Sequence, residues 1–327
     1  PMVNRPFSEP RAPGSTFKMI TATAGLQEGI ISPNTGIYDK GTFKDAGRPY
    51  ARCWIGSGSG SHGNVNVSEA LEVSCNYFFY TVAYRMNKGA GDLSGINTLN
   101  KYMEAFGLNS PTGVEISELY DSMSQYPTHI SSPEYKKYIT QQRDADAKES
   151  DYKWSAGDTI RTAIGQSYNN YTSALMSKYV ATLANGGTRY SMHFLNKVTN
   201  NDGKTEEEYQ PKVESKIEIK KENLDAIFKG MFLVTTGPRG TLRNYFKDFP
   251  VDVAAKSGTA QQSSKRSEHT TFVAFAPLED PQISVCVIIP FGNGTTGPAP
   301  KVAKVAISEY LKLDYKPELK SYDTLLH

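Results

Sequence analysis

Three β-rich runs in the last third of the chain, residues 251–255, 270–275 and 283–289, set the strongest limit on its fold. Turn-forming residues separate them and the connections are short. That is the pattern of strands laid antiparallel in sequence order, not of helical crossovers. Leu224, Ile227, Phe228, Met231 and Phe232 recur at helical spacing before them, and residues 302–311 form a second amphipathic stretch after them. The expected class is therefore α+β, an antiparallel sheet flanked by helices.

The first third is read as helical. Pro13-Gly14 punctuates the chain, and a helix is expected from Ser15 to Leu26, closed by Gly29, with Met19, Ala22 and Leu26 on its buried side. Asn66 followed by Glu69 three residues later has capping-box form. A short helix through Val73 is expected there, then Ser74-Cys75-Asn76, then a second helix from Tyr77 to about Met86. Residues 143–153 and 200–221 mix charges of both signs without periodicity and are expected to be solvated loops.

The 327 residues suit one large domain, and 36 basic against 34 acidic residues give a net charge of +2. A balance so near zero gives no electrostatic pull toward nucleic acid or an anionic membrane. The longest apolar stretch, around Ile283 to Phe291, is too short to span a bilayer, and no signal-peptide pattern opens the chain. The chain starts only fourteen residues before Ser15, so an anchor or preceding domain is expected to lie outside it. Three cysteines, Cys53, Cys75 and Cys286, exclude a fully paired disulfide framework. Cys286 lies in an apolar strand and reads as a small core residue.

Ser15 and Lys18 are three apart, so on a helix the amine can reach the hydroxyl. A serine hydroxyl is a weak nucleophile until a neighbour takes its proton. A lysine whose pKa is depressed by burial and nearby cations can do so. Alone, S-x-x-K is common. Ser74-Cys75-Asn76 adds a second hydroxyl and an amide, and Lys256-Ser257-Gly258-Thr259 follows an apolar strand. The three segments occur in the order of the S-x-x-K, S-D-N and K-T-G signature of penicillin-binding proteins and class A β-lactamases, with S-C-N and K-S-G-T standing for the last two.

The nucleophile segment Arg11 through Lys18 resembles that of the class B penicillin-binding proteins, the cell-wall transpeptidases. So do Trp54 with His62-Gly63, Ala163 through Gln166, Leu183 through Gly187, Lys256 through Ala260, and Phe272 through Pro277. The elongation-type members, which serve side-wall growth, are the most similar. The resemblance implies one transpeptidase domain over residues 1–315, with a mainly helical subdomain beside the sheet and the cleft between them, then a C-terminal tail at 316–327. It implies that Ser15 attacks a stem peptide at its penultimate D-alanine and expels the terminal one, and that β-lactams acylate the same hydroxyl. Lys18 is the implied base and Ser74 the relay to the leaving amine, while Asn76 positions Lys18 and the substrate amide. Lys256 would keep the cleft positive, Ser257 and Thr259 would hold the substrate carboxylate, and Gly258 would leave room for the acyl group. The N–H groups of Ser15 and Thr259 would form the oxyanion hole, and Cys75 would face away from substrate. No cofactor is needed for this chemistry. An extracytoplasmic position, a membrane anchor outside the chain and a glycan-polymerising membrane partner are also implied.

Some elongation-type relatives carry a structural zinc near the second motif, and Asp39, Cys53, His62 and Cys75 match its ligand positions, with Cys53 replacing an acid. Four protein ligands leave zinc no open position, so such a site is structural. A Cys53–Cys75 disulfide and two unlinked thiols stay open beside it. His129, His193, His269 and His327 show no paired ligand spacing and read as surface or supporting residues, with the cleft rim an alternative place for His269. Rival functions are a D,D-carboxypeptidase and a penicillin sensor. A β-lactamase lacks a deacylating glutamate motif here, and a dead scaffold does not fit the intact Lys18, Ser74 and Lys256.

Overall fold

The computed structural model describes residues 4–57, 60–89, 92–116, 118, 128–260, 268–292 and 297–315; the tail expected at 316–327 lies outside them. A 3-10 turn at Gly14–Phe17 leads into α1 (Lys18–Gln27). The hairpin strands β1 (Ile37–Asp39) and β2 (Gly63–Val65) pair antiparallel. Then come α2 (Val67–Glu72), α3 (Asn76–Met86), α4 (Ser94–Ala105), α5 (Ala156–Thr162), α6 (Ser173–Ala184) and α7 (Lys221–Thr236). The strands β3 (Ala254–Ala260), β4 (His269–Ala276) and β5 (Ile283–Ile289) and the helix α8 (Ala299–Leu311) follow.

The expected antiparallel sheet is present, in the order β5-β4-β3, with β3 at one edge. Register pairs Val273 with Lys256 and with Cys286. Strand β4 is buried along its whole length because both faces are covered. Val273 and Phe275 enter the main core, while Phe272, Ala274 and Ala276 enter a second core with Ala303 and Ile307 of α8. Cys286 packs partly buried against the main core. Helix α1 is buried on every side, against α3, α4 and α7, which is why its sequence lacks a polar stripe.

Several boundaries differ from expectation for identifiable reasons. Ser15 stands in the 3-10 turn, and regular α-helix begins only at Lys18, since Gly14 opens the turn at φ +56°. Strand β3 begins at Ala254, so Lys256 to Thr259 lie inside the strand; Lys-Ser-Gly reads locally as a turn and is held extended by pairing to β4. The charged segments are not plain loops. Glu149–Tyr152 is a short helix, Thr205–Glu208 pairs with Lys197–Thr199, and Val213–Lys216 pairs with Thr188–Tyr190. Residues 205–208 are exposed on both faces, so no inside-outside alternation marks them. The capping box forms as expected: Glu69 N–H donates to Asn66 Oδ1 at 3.1 Å and Asn66 N–H to Glu69 Oε2 at 2.9 Å. No helix among the described residues is long and apolar enough to cross a membrane.

Candidate active site

The three motifs, far apart in sequence, meet at one cleft of ≈ 350 Å³. Ser15, Ser74, Asn76, Ser257, Gly258 and Thr259 line it, while Lys18 and Lys256 are fully buried behind. Close backbone packing fixes the Ser15 turn. Gly14 N–H donates to Gly165 O at 3.0 Å, Thr16 Oγ1 to Pro13 O at 2.8 Å, and Tyr179 OH to Thr16 O at 3.2 Å. A methyl group on Gly14 would overlap the Thr259 carbonyl, and one on Gly258 would lie 2.7 Å from Pro13 O and 3.1 Å from Ser15 N. Gly258 therefore makes room for the nucleophile turn itself, where sequence reasoning had it making room for the acyl group. This contact holds the backbone of the Ser15 turn against that of Gly258 and Thr259.

Lys18 is not hydrogen bonded to Ser15. Its Nζ donates to Ser74 O at 2.8 Å, Asn76 Oδ1 at 2.7 Å and Ser74 Oγ at 3.2 Å. Two acceptors of Ser74 in the loop before α3 and one of Asn76 at its first turn thus take the amine that sequence spacing had assigned to the serine. Lys256 Nζ donates to Ser74 Oγ at 3.0 Å and Ser257 O at 2.9 Å. Ser74 Oγ therefore lies between two buried amines.

Burial pulls Lys18 down from 10.5 to about 8, against the opposing pull of nearby Cys53 and Cys75. Burial, and then the charge of Lys18, hold Lys256 well below the usual lysine range. Ser74 itself has φ +53°, a left-handed conformation costly for a residue with a side chain. The Trp54 indole N–H bridges Val73 O and Ser74 O, both at 3.1 Å, and pins that conformation from outside.

Sequence reasoning missed Thr241 and Glu268, which also line the cleft, and used Trp54 and Gln166 only as marks of resemblance. Thr241 Oγ1 is 3.4 Å from Ser257 Oγ. No local signal distinguishes an isolated Thr or Glu, because only the fold brings them there. His269 lies neither on the surface nor at the rim: it is fully buried on β4, and its Nδ1 accepts from Phe291 N–H at 3.1 Å.

Cys75 N-caps α3, accepting from Phe78 N–H at 3.4 Å, and turns away from the cleft. It joins Asp39, Cys53 and His62, whose donor atoms all lie within 4.8 Å of one another. Cys53 Sγ is 3.9 Å from Cys75 Sγ and 3.4 Å from His62 Nδ1; Asp39 Oδ2 is 3.6 Å from Cys75 Sγ and 2.7 Å from His62 Nδ1. Tetrahedral zinc, with bonds of ~2.3 Å to sulfur and ~2.0 Å to nitrogen, implies S···S of ~3.8 Å and S···N of ~3.5 Å. The donor set suits zinc, and the two sulfurs and His62 Nδ1 have its spacing, while Asp39 and His62 stand at hydrogen-bond distance from each other. Both thiols are free, and a disulfide would need sulfurs about 2.0 Å apart, so the disulfide expectation fails. The Cys75 thiol hydrogen bond, and then the His62 contact, pull Cys53 below the usual thiol range, while Cys75, as the donor, is pushed up.

Residues 1–307 match the family described as "Penicillin binding protein transpeptidase domain". The Escherichia coli K12 protein named "Peptidoglycan D,D-transpeptidase MrdA" is 33% identical over 314 residues, covering 91% of this chain and 45% of the relative. A Streptococcus pneumoniae protein named "Penicillin-binding protein 2B" is 27% identical, covering 92% of this chain and 43% of the relative. The crystal structure of Pseudomonas aeruginosa PBP2 in complex with WCK 5153 superposes with a TM-score of 0.76 at 28% identity, over 98% of this chain and 65% of that one. The chain spans about half the length of the curated relatives it matches.

Proposed function

Since the chain belongs to the transpeptidase-domain family of penicillin-binding proteins, we propose that it is a serine-type D,D-transpeptidase of the elongation type, acylated and inhibited by β-lactams. The observation that carries this reading is the double contact at Ser74 Oγ, 3.2 Å from Lys18 Nζ and 3.0 Å from Lys256 Nζ, in a cleft shared with Ser15. Ser15 Oγ attacks the carbonyl of the penultimate D-alanine, and its proton passes to the Lys18 amine. The N–H groups of Ser15 and Thr259 stabilise the oxyanion, and each such donor contributes about 2.7–4 kcal/mol. As the C–N bond breaks, Ser74 O–H gives its proton to the leaving D-alanine and is recharged from the lysines. A stem-peptide amine then attacks the Ser15 ester and releases the cross-linked product. Ser257 and Thr259, with Thr241 beside them, hold the terminal carboxylate. The chemistry needs no cofactor.

In this reading residues 1–315 act as one transpeptidase domain on the extracytoplasmic face of the membrane, anchored by a segment outside this chain. A glycan-polymerising membrane partner is part of it. A structure described as "Structural coordination of polymerization and crosslinking by a peptidoglycan synthase complex" supports that partner, with a TM-score of 0.77 at 25% identity. The test is release of D-alanine from an acyl-D-Ala-D-Ala analogue with and without an amine acceptor. Amide formation supports the transpeptidase, hydrolysis alone points to a carboxypeptidase, and labelling without release points to a sensor.

A zinc ion on Asp39, Cys53, His62 and Cys75 belongs to the same reading. Bound there, it would supply a cross-link rather than catalysis, fixing the loop that carries Ser74 and Asn76. Metal analysis is expected to return one zinc per chain, and chelation to lower the melting temperature by roughly 5 °C or more. Cys75→Ser should reproduce that loss, and protein purified without stoichiometric zinc would refute the site.

A further inference from the structure

We infer that Glu268 receives a primary ammonium group of the peptide substrate and so sets which stem peptides the site takes, an inference that rests on the transpeptidase reading above. Among the described residues lining the cleft, Glu268 is the one carboxylate. It is partly exposed and has no hydrogen-bond or ion-pair partner among the described residues. The other polar side chains of the wall are hydroxyls, amides and the Trp54 indole, and the two buried lysines behind them are already bonded to Ser74.

Position gives this carboxylate its meaning. Strand β3 is an edge strand, so its outer edge can take an extended peptide as an added strand. Thr270 pairs with Thr259 and His269 with Ala260, so Glu268, two residues before Thr270, lies past the Ala260 end of the ladder. At about 3.3 Å per residue, that is roughly 7 Å along the edge. The Ser257 hydroxyl, which shares the terminal carboxylate with the Thr259 hydroxyl and has Thr241 Oγ1 3.4 Å away, stands on the other side of Thr259. A donor with its terminal carboxylate there and its scissile carbonyl at the Thr259 N–H therefore sends its preceding residue toward Glu268. The cleft thus has a carboxylate-binding end and a cation-binding end, with Ser15 between them.

A stem peptide cross-linked through a side-chain amine carries that amine whether it acts as donor or acceptor. The ammonium at Glu268 can therefore come from the donor's residue before the two D-alanines, or from the incoming acceptor. Two thioester donors separate these sources, one with lysine before the D-alanine unit and one with Nε-acetyl-lysine. Each is assayed for hydrolysis alone and with a primary-amine acceptor, in wild type and Glu268→Gln. If the donor supplies the cation, wild-type kcat/KM favours the lysine donor by about fivefold. The preference shrinks with added salt and is lost in Glu268→Gln. If the acceptor supplies it, the donors react equally, and Glu268→Gln shifts partitioning from aminolysis toward hydrolysis by a similar factor. Either result supports the inference. Equal donors with unchanged partitioning in Glu268→Gln would overturn it, as would a lysine preference that survives the substitution. A wild type that turns over neither donor defeats the transpeptidase reading itself, and this inference with it.

Discussion

Ser15→Ala is expected to eliminate covalent labelling by a penicillin, where the wild-type chain gains the mass of one β-lactam per molecule. Removing a serine nucleophile costs on the order of 10⁶ in rate, so no adduct should accumulate within hours. The change should leave the fold intact. Ser15 is only partly buried, and the 3-10 turn is held by Gly14, Thr16 and their partners, not by the Ser15 side chain. Intact-protein mass spectrometry together with a melting curve checks both halves. A surviving adduct would mean that another residue is acylated.

Lys18→Met should slow acylation by roughly 10²–10⁴, the range of a lost general base. The physical reason is burial. With its pKa brought from 10.5 to about 8, the amine is the free base some 300-fold more often at neutral pH than an ordinary lysine, by roughly 2.5 pK units. Only the free base can take the Ser15 proton, and its fraction grows as pH climbs through the folded-state pKa. Wild-type labelling should therefore accelerate with pH, with a midpoint near 8, and then level off. The Lys18→Met profile should be flat across that window. The substitution also strips a donor from Asn76 Oδ1 and from Ser74 O, which keeps only its Trp54 contact. A stability loss of about 1–3 kcal/mol accompanies it. Lys18→Gln can keep one of those bonds and serves as the second variant. A pH midpoint unchanged in Lys18→Met would assign the base to another group.

Much of the fold was legible because it is local. The strands around β4 and β5 announce themselves through β-branched and aromatic runs, and the Asn66–Glu69 cap through the spacing of its two side chains. Strand β3 was legible only up to its apolar start. A Lys-Ser-Gly-Thr segment has no extended preference of its own and takes its conformation from Thr270, Thr271, Phe272 and Val273 across the ladder. The hairpins among the charged residues were missed because exposed strands carry no periodic burial signal.

The sequence by itself determined the chemical inventory: one candidate nucleophile, two lysines, a relay serine, and a cysteine, histidine and aspartate set with the composition of a zinc site. It did so because each motif is short and its residue types are chosen for reactivity. Only the tertiary structure decided how the inventory is wired. Lys18 bonds across 56 residues to Ser74 and Lys256 across 182 to the same hydroxyl. Cys53 and Cys75 stand apart as thiols, and Thr241 and Glu268 come to the cleft wall. Those distances are fixed by how buried helices and a sheet edge pack against one another, and packing between remote segments leaves no trace in the spacing of residues along the chain.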